Sequence, residues 1–238
     1  MSTSNEHTLT KLKPQGPIYS ITPFTLLDYP DKTACILWFA GCNMRCLYCY
    51  NPDVVLNKGS LSFEHVYRFL DSRKGLLDGV VLSGGECTMH KHIIPFIEKI
   101  KAMGFTVKID TNGSRPMILH QLINDELIDY VALDFKALPD RFQYITQSNL
   151  FSKFEQTLSL LLTSTIKFEV RTTVHADLIT TTDLIRMVSY LQTRGYKGNY
   201  YIQYFVNNVK TLSDLRFSPK ELKRELLSTS QINLIFRE

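Results

Sequence analysis

The chain has 238 residues, 44% apolar and 11% aromatic, enough for one substantial core, so a single domain is expected. Its 27 basic and 23 acidic residues are scattered along the chain, giving a net charge of +4 without the basic blocks of a nucleic-acid tail, so no nucleic-acid partner is expected. No apolar run approaches the roughly 18 residues of a membrane span, and the start does not read as a signal peptide; no membrane association is expected, and the cytoplasm is the expected compartment.

Residues 1–16 are polar and close on Pro14 and Gly16, the pattern of a mobile tail, which leaves 17–238 as the domain. The first β-rich run, Thr33 to Ala40, leads into a cysteine-rich stretch, and Ser62 then caps a helical pattern reaching Arg73. A strand over Gly79 to Leu82 precedes a helix over Lys91 to Met103 that Gly104 stops. The alternation continues with strand Phe105 to Ile109, helix Arg115 to Asn124, strand Tyr130 to Leu133 and helix Leu150 to Thr163. Strand Lys167 to Val174, helix Thr181 to Arg194 and strand Asn199 to Phe205 complete it. A helix near Pro219 to Leu227 and an apolar Ile232 to Phe236 read as a short closing appendage.

Near-continuously apolar strands separated by helices predict an α/β fold around a parallel sheet buried on both faces. Periodicity alone leaves open whether the six units close partly as a barrel or lie as a doubly wound sheet. Either way, chemistry belongs at the carboxyl ends of the strands. There the sequence places the cysteine loop, Ser83-Gly84-Gly85-Glu86, Asp110-Thr111-Asn112-Gly113 and Asp134-Phe135-Lys136.

Five cysteines in a chain without an export signal suit a metal or catalytic role better than a disulfide framework. Cys42, Cys46 and Cys49, spaced by three and two residues, can converge on one object if the loop curls around it. Iron bound by soft thiolates is the natural object, with structural zinc and a buried helical stripe as rivals. Gly41, Asn43 and Pro52 speak against the stripe, and the histidines fall at no zinc-finger spacing. Three thiolates for a four-iron cluster leave one iron free to take a chelating ligand.

Cys42-x3-Cys46-x2-Cys49, with Tyr48 before the third cysteine, resembles the signature of the radical S-adenosylmethionine superfamily. The resemblance implies that the three cysteines hold a 4Fe-4S cluster, that S-adenosylmethionine chelates the open iron, and that the backbone at Tyr48 meets the adenine. Gly84, Gly85 and Glu86 resemble the family's GGE motif, whose backbone approaches the methionine amino group, although Cys87 stands where relatives often carry proline. Asp110, Thr111, Asn112, Asp134 and Lys136 resemble the rim of glycyl-radical-enzyme activases, which implies cofactor contacts and a monovalent cation held by the acids and the threonine. Arg171 matches an arginine that meets the cofactor carboxylate in those relatives. The expected fold is then a partial (β/α)6 TIM-like barrel.

Leu27 to Lys32 and Cys49 to Pro52 are most similar to the activating proteins of anaerobic ribonucleoside-triphosphate reductase, though Tyr50 departs from the usual histidine. That resemblance implies a glycyl-radical enzyme as protein substrate and flavodoxin or ferredoxin as reductant. Both segments are expected to flank the cluster and help dock the partner. A small-molecule enzyme, such as a 7-carboxy-7-deazaguanine synthase, and a pyruvate formate-lyase-type activase are the alternatives. Gln203-Tyr204 offers no counterpart of the latter's active-site histidine.

Overall fold

The computed structural model describes residues 16–227 and 231–237. The expected tail lies outside the described residues except for Gly16, whose backbone bridges to Gly59. The elements run β1 (Ile18–Thr25), β2 (Ala34–Phe39), α1 (Pro52–Leu56), α2 (Phe63–Asp71), β3 (Gly79–Gly84), α3 (Ile93–Ala102) and β4 (Thr106–Thr111). They continue with α4 (Pro116–Asn124), β5 (Tyr130–Asp134), α5 (Pro139–Thr146), α6 (Phe151–Thr163), β6 (Lys167–Val174), α7 (Thr181–Thr193), β7 (Asn199–Tyr204) and β8 (Asn233–Arg237).

One eight-stranded sheet holds these strands in chain order. β1 runs antiparallel to β2, and every later pair is parallel. A doubly wound sheet would reverse its strand order part-way across. The unbroken order is that of a barrel, and no β8–β1 pairing closes it among the described residues.

Helices cover the outside. Leu70 of α2, Phe96 and Ile100 of α3, Leu122 of α4, Leu158 of α6 and Leu191 of α7 are buried in one continuous core with the outward residues of the strands. Each such side chain contributes about 1.5–3 kcal/mol through burial. Ser62 caps α2 by accepting from the His65 amide, and Thr180 closes a capping box with Asp183 at α7. The barrel interior holds a smaller cluster of Tyr29, Ala34, Ile36 and Val81, with Trp38 and Tyr130 against it. Tyr29 plugs the amino end of the barrel: a Cβ on Gly79 would lie 2.8 Å from its ring.

The six expected strands appear as β2 to β7, and two more lengthen the sheet. β1 contains Pro23, which a central strand would exclude but an edge strand with an irregular register tolerates. β8 forms from the apolar segment read as an appendage. The helix expected near Pro219 to Leu227 shrinks to one 3-10 turn, Arg224–Leu226. Its first seven residues offer a single apolar side chain, Leu222, too little to bury a helix face.

Candidate active site

A cavity of about 260 Å³ opens at the carboxyl ends of the strands and runs into the barrel. Cys42, Cys46, Cys49, Tyr48, Gly84, Gly85, Asp110, Asn112, Asp134, Lys136 and Arg171 all line it. Of the residues expected there, the side chains of Glu86 and Thr111 do not.

The cysteine loop leaves β2 at Gly41, whose positive φ of 86° suits glycine. Distant elements then hold its backbone. The Gly41 amide donates to the Val54 carbonyl (2.8 Å), and the Arg45 and Leu47 amides donate to the carbonyls of Thr146 and Ile145 at the end of α5 (both 2.9 Å). From the carboxyl-terminal segment, the Leu212 amide donates to the Cys49 carbonyl (3.0 Å) and that of Ser213 to Leu47 (3.3 Å). Asn112 Nδ2 reaches Cys42 Sγ (3.8 Å) and Asn43 Oδ1 (3.0 Å), while Asn43 donates to Ser114 Oγ (2.8 Å). The Asp-Thr-Asn-Gly turn thus latches the loop.

The glycine turn packs against the same loop. A Cβ on Gly85 would stand 1.8 Å from the Gly41 carbonyl oxygen, and one on Gly84 2.4 Å from the Phe39 amide nitrogen. Glycine is required here by the chain's own backbone. Glu86 is wholly buried and ties the turn to the next loop: it accepts from Thr111 Oγ1 (2.8 Å), the Asn112 amide (2.7 Å) and Thr88. Burial pushes its carboxyl up despite these donors. Its role, like that of Thr111, is to join the β3 and β4 loops.

Burial pushes the Cys42 thiol up to about 11 and that of Cys46 to about 12, so both stand as neutral thiols that a metal would deprotonate on binding. Cys42 Sγ already accepts from the Met44 amide at 3.4 Å. No three Cys, His, Asp or Glu side chains are grouped to hold one ion among the described residues. Cys42, Cys46 and Cys49 nevertheless line the one cavity, and Cys42 and Cys49 both act on the Cys46 thiol. Tyr48 lines the same cavity, and its hydroxyl is buried without a hydrogen-bond partner among the described residues. These features fit a thiolate-bound cluster beside a polar organic ligand. Cys87 and Cys35 are fully buried, and Cys87 packs near the carbonyls of Leu82 and Asp110.

An ion network lines the same cavity. Arg171 bridges Asp110 (3.3 Å) and Asp134 (3.0 Å), Lys136 meets Asp134 (3.0 Å), and Ser83 Oγ donates to Asp110 (3.0 Å). Lys108, in the interior below Asp110, pairs with it. Burial alone would raise the Asp110 carboxyl, but Arg171 and Lys108 outweigh it and hold the group down to about 2. Asp134 is lowered for the same reason by Arg171 and Lys136. Lys136, whose ammonium lies 5.9 Å from the Tyr48 ring centre, is held above its usual range because Asp134 overcomes its burial.

Trp38, Met44 and Thr173 also line the cavity, and sequence reasoning passed over them, as it did Lys108. Lys108 carried a readable signal, a charge in the middle of the apolar run Phe-Thr-Val-Lys-Ile. Leu27 to Lys32 does not flank the cluster: it connects β1 to the amino end of β2, while the cysteines follow the carboxyl end. Only Asp28 of that segment reaches the cavity wall.

An open parallel barrel with such a loop defines a class. Residues 36–188 match the model of the radical SAM superfamily, and the chain belongs to that superfamily. It is 33% identical over 163 residues to a Methanocaldococcus jannaschii protein provisionally named a glycyl-radical enzyme activating enzyme, covering 66% of this chain and 67% of that one. The pyruvate formate-lyase-activating enzyme of Clostridium pasteurianum is 32% identical over 132 residues, 52% of this chain and 54% of its own length. Among solved structures, SuiB of Streptococcus suis shares the fold, with a TM-score of 0.65 at 12% identity over 84% of this chain and 47% of that one. The activating enzymes of glycyl-radical enzymes are thus its similar relatives, and the chain is an enzyme of their class.

Proposed function

We propose that this enzyme installs a glycyl radical on a partner protein, anaerobic ribonucleoside-triphosphate reductase, using a 4Fe-4S cluster on Cys42, Cys46 and Cys49. When bound, the cluster and S-adenosylmethionine supply one-electron cleavage of the sulfonium to a 5'-deoxyadenosyl radical, which takes a hydrogen atom from glycine. The carrying observation is the convergence, on one cavity, of the three cysteines, Tyr48, the glycine turn and the paired charges of Asp110, Asp134, Lys136 and Arg171.

The protein's own groups position the cofactor and exclude water. Lys136 and Arg171 present positive charge to a carboxylate entering the cavity, and Asp134 fixes both in place. The Gly84-Gly85 backbone, bare of Cβ atoms, borders the cavity beside the cysteine loop and is available to an amino group. A protein substrate is favoured by the named relatives and by the opening between the sheet's unpaired edges. The reductase in particular is favoured by the likeness of Leu27 to Lys32 and Tyr50 to Pro52. Flavodoxin or ferredoxin is the proposed reductant, and the cytoplasm the proposed compartment; no helix among the described residues is long and apolar enough to cross a membrane.

The test is to reconstitute the enzyme anaerobically, reduce it, and incubate it with S-adenosylmethionine and the reductase. A glycyl-radical doublet in the reductase's paramagnetic resonance spectrum is expected. No doublet, with 5'-deoxyadenosine formed only when a small metabolite is added, would replace this reading with a small-molecule one.

A further inference from the structure

The resemblance implies a monovalent cation held by Asp110, Thr111 and Asp134, and the side chains do not fit one. One oxygen of Asp110 takes the Lys108 ammonium, and the other takes Ser83 Oγ (3.0 Å) and Arg171 (3.3 Å). Asp134 is divided between Arg171 Nε and Lys136 Nζ, each at 3.0 Å. Thr111 Oγ1 donates to Glu86 (2.8 Å) and accepts from the Gly113 amide (3.1 Å), off the cavity. The three expected ligands therefore do not converge.

Lys108 is 1% exposed. Its register neighbours are Val81 on β3 and Tyr130 on β5, whose hydroxyl donates to the buried Glu169, so Asp110 is the carboxylate that Lys108 itself meets. An ammonium buried there is tolerable only through its carboxylate partner. Lys108, Arg171 and Lys136 stand against Asp110, Asp134 and the buried Glu169, which also acts on Arg171, so the fixed charges already balance and a metal cation would join three fixed ones.

We propose that Lys108 is a resident cation: its ammonium does the work of the alkali-metal ion, so that S-adenosylmethionine binds without one. The inference rests on reading the cavity as the cofactor's site and can fail separately from it. With the oxidised, cluster-loaded enzyme, sodium-23 relaxation is followed during a sodium titration. S-adenosylmethionine affinity is measured by equilibrium dialysis in potassium and in choline buffers of equal ionic strength. Wild type should show no saturable sodium site and less than about a twofold difference in affinity between the buffers.

Lys108→Met should gain a saturable site and bind the cofactor about ten- to a hundredfold more weakly in choline than in potassium, the scale of one charge-assisted contact. A saturable sodium site in wild type, or a tenfold tightening by potassium, would overturn the inference even if the variant does not fold. So would a folded Lys108→Met that is weakened equally in both buffers. If neither protein binds S-adenosylmethionine, the cofactor reading falls, and wild-type relaxation alone decides the role of Lys108.

Discussion

The cysteine loop and the ion network line one cavity and are built in opposite ways. The loop's backbone is tied down from α1, α5 and the carboxyl-terminal segment, while its cysteines line the cavity and only Cys42 takes donors on its sulfur, from the Met44 amide and Asn112. The network's side chains are matched to one another, carboxylate against guanidinium and ammonium, before any ligand arrives. One wall is made to be completed; the other is already internally matched. The substitutions below separate a wall that loses its ligand from a wall that loses its fold.

The largest effect is expected at the thiols. Cys42→Ser, Cys46→Ser or Cys49→Ser should each abolish S-adenosylmethionine cleavage and lower iron content, because a harder oxygen holds iron poorly. Cys35→Ser, away from the cavity, should retain iron. Equal iron in all four variants, measured after anaerobic reconstitution, would break the assignment.

Asp110→Ala strands Lys108 in the interior and leaves Arg171 with Asp134 alone of its two ion-pair partners. Breaking a buried pair costs about 3–5 kcal/mol, so denaturant unfolding of the metal-free chain should show a loss of that order. Lys136→Ala is milder for the fold, since its partner Asp134 keeps Arg171. It should weaken cofactor binding by about 1.5–3 kcal/mol with iron content unchanged. Unchanged affinity would mean that the network is structural only.

Acid provides the gentlest probe. Asp110 lies below the usual carboxylate range when folded, so its contribution to stability is fully present above about pH 3.9 and is lost as pH falls through about 2. Asp134 acts in the same direction. Melting temperature in the metal-free chain should fall across that window, and the fall should shrink in Asp110→Asn. An equal fall in the variant would assign the acid sensitivity elsewhere.

Much of this was legible in the sequence for physical reasons. The cysteine spacing constrains a loop wherever it sits, and motifs at strand ends share a rim in any parallel α/β fold. Residues whose role depends on a distant partner were less visible. Gly85 read as a cofactor contact, whereas its tightest neighbour is the Gly41 carbonyl. Glu86 and Thr111 read as rim residues, but they bond to each other. Pro23 disguised β1, because proline argues against a strand unless that strand is known to lie at an edge. Leu27 to Lys32 looked adjacent to the cluster in sequence, and the length of β2 separates them.

The ties on the cysteine loop also impose an order of events as the chain leaves the ribosome. Residues 42–49 are made early, but their partners at Ile145 and Thr146 are made about a hundred residues later, and Leu212 and Ser213 later still. Until those partners dock, the loop lacks the hydrogen bonds that hold its final shape. A part of the site that is synthesised early is thus among the last to be fixed, which leaves an interval in which an iron–sulfur cluster can be handed to an open loop before the rest of the chain closes over it.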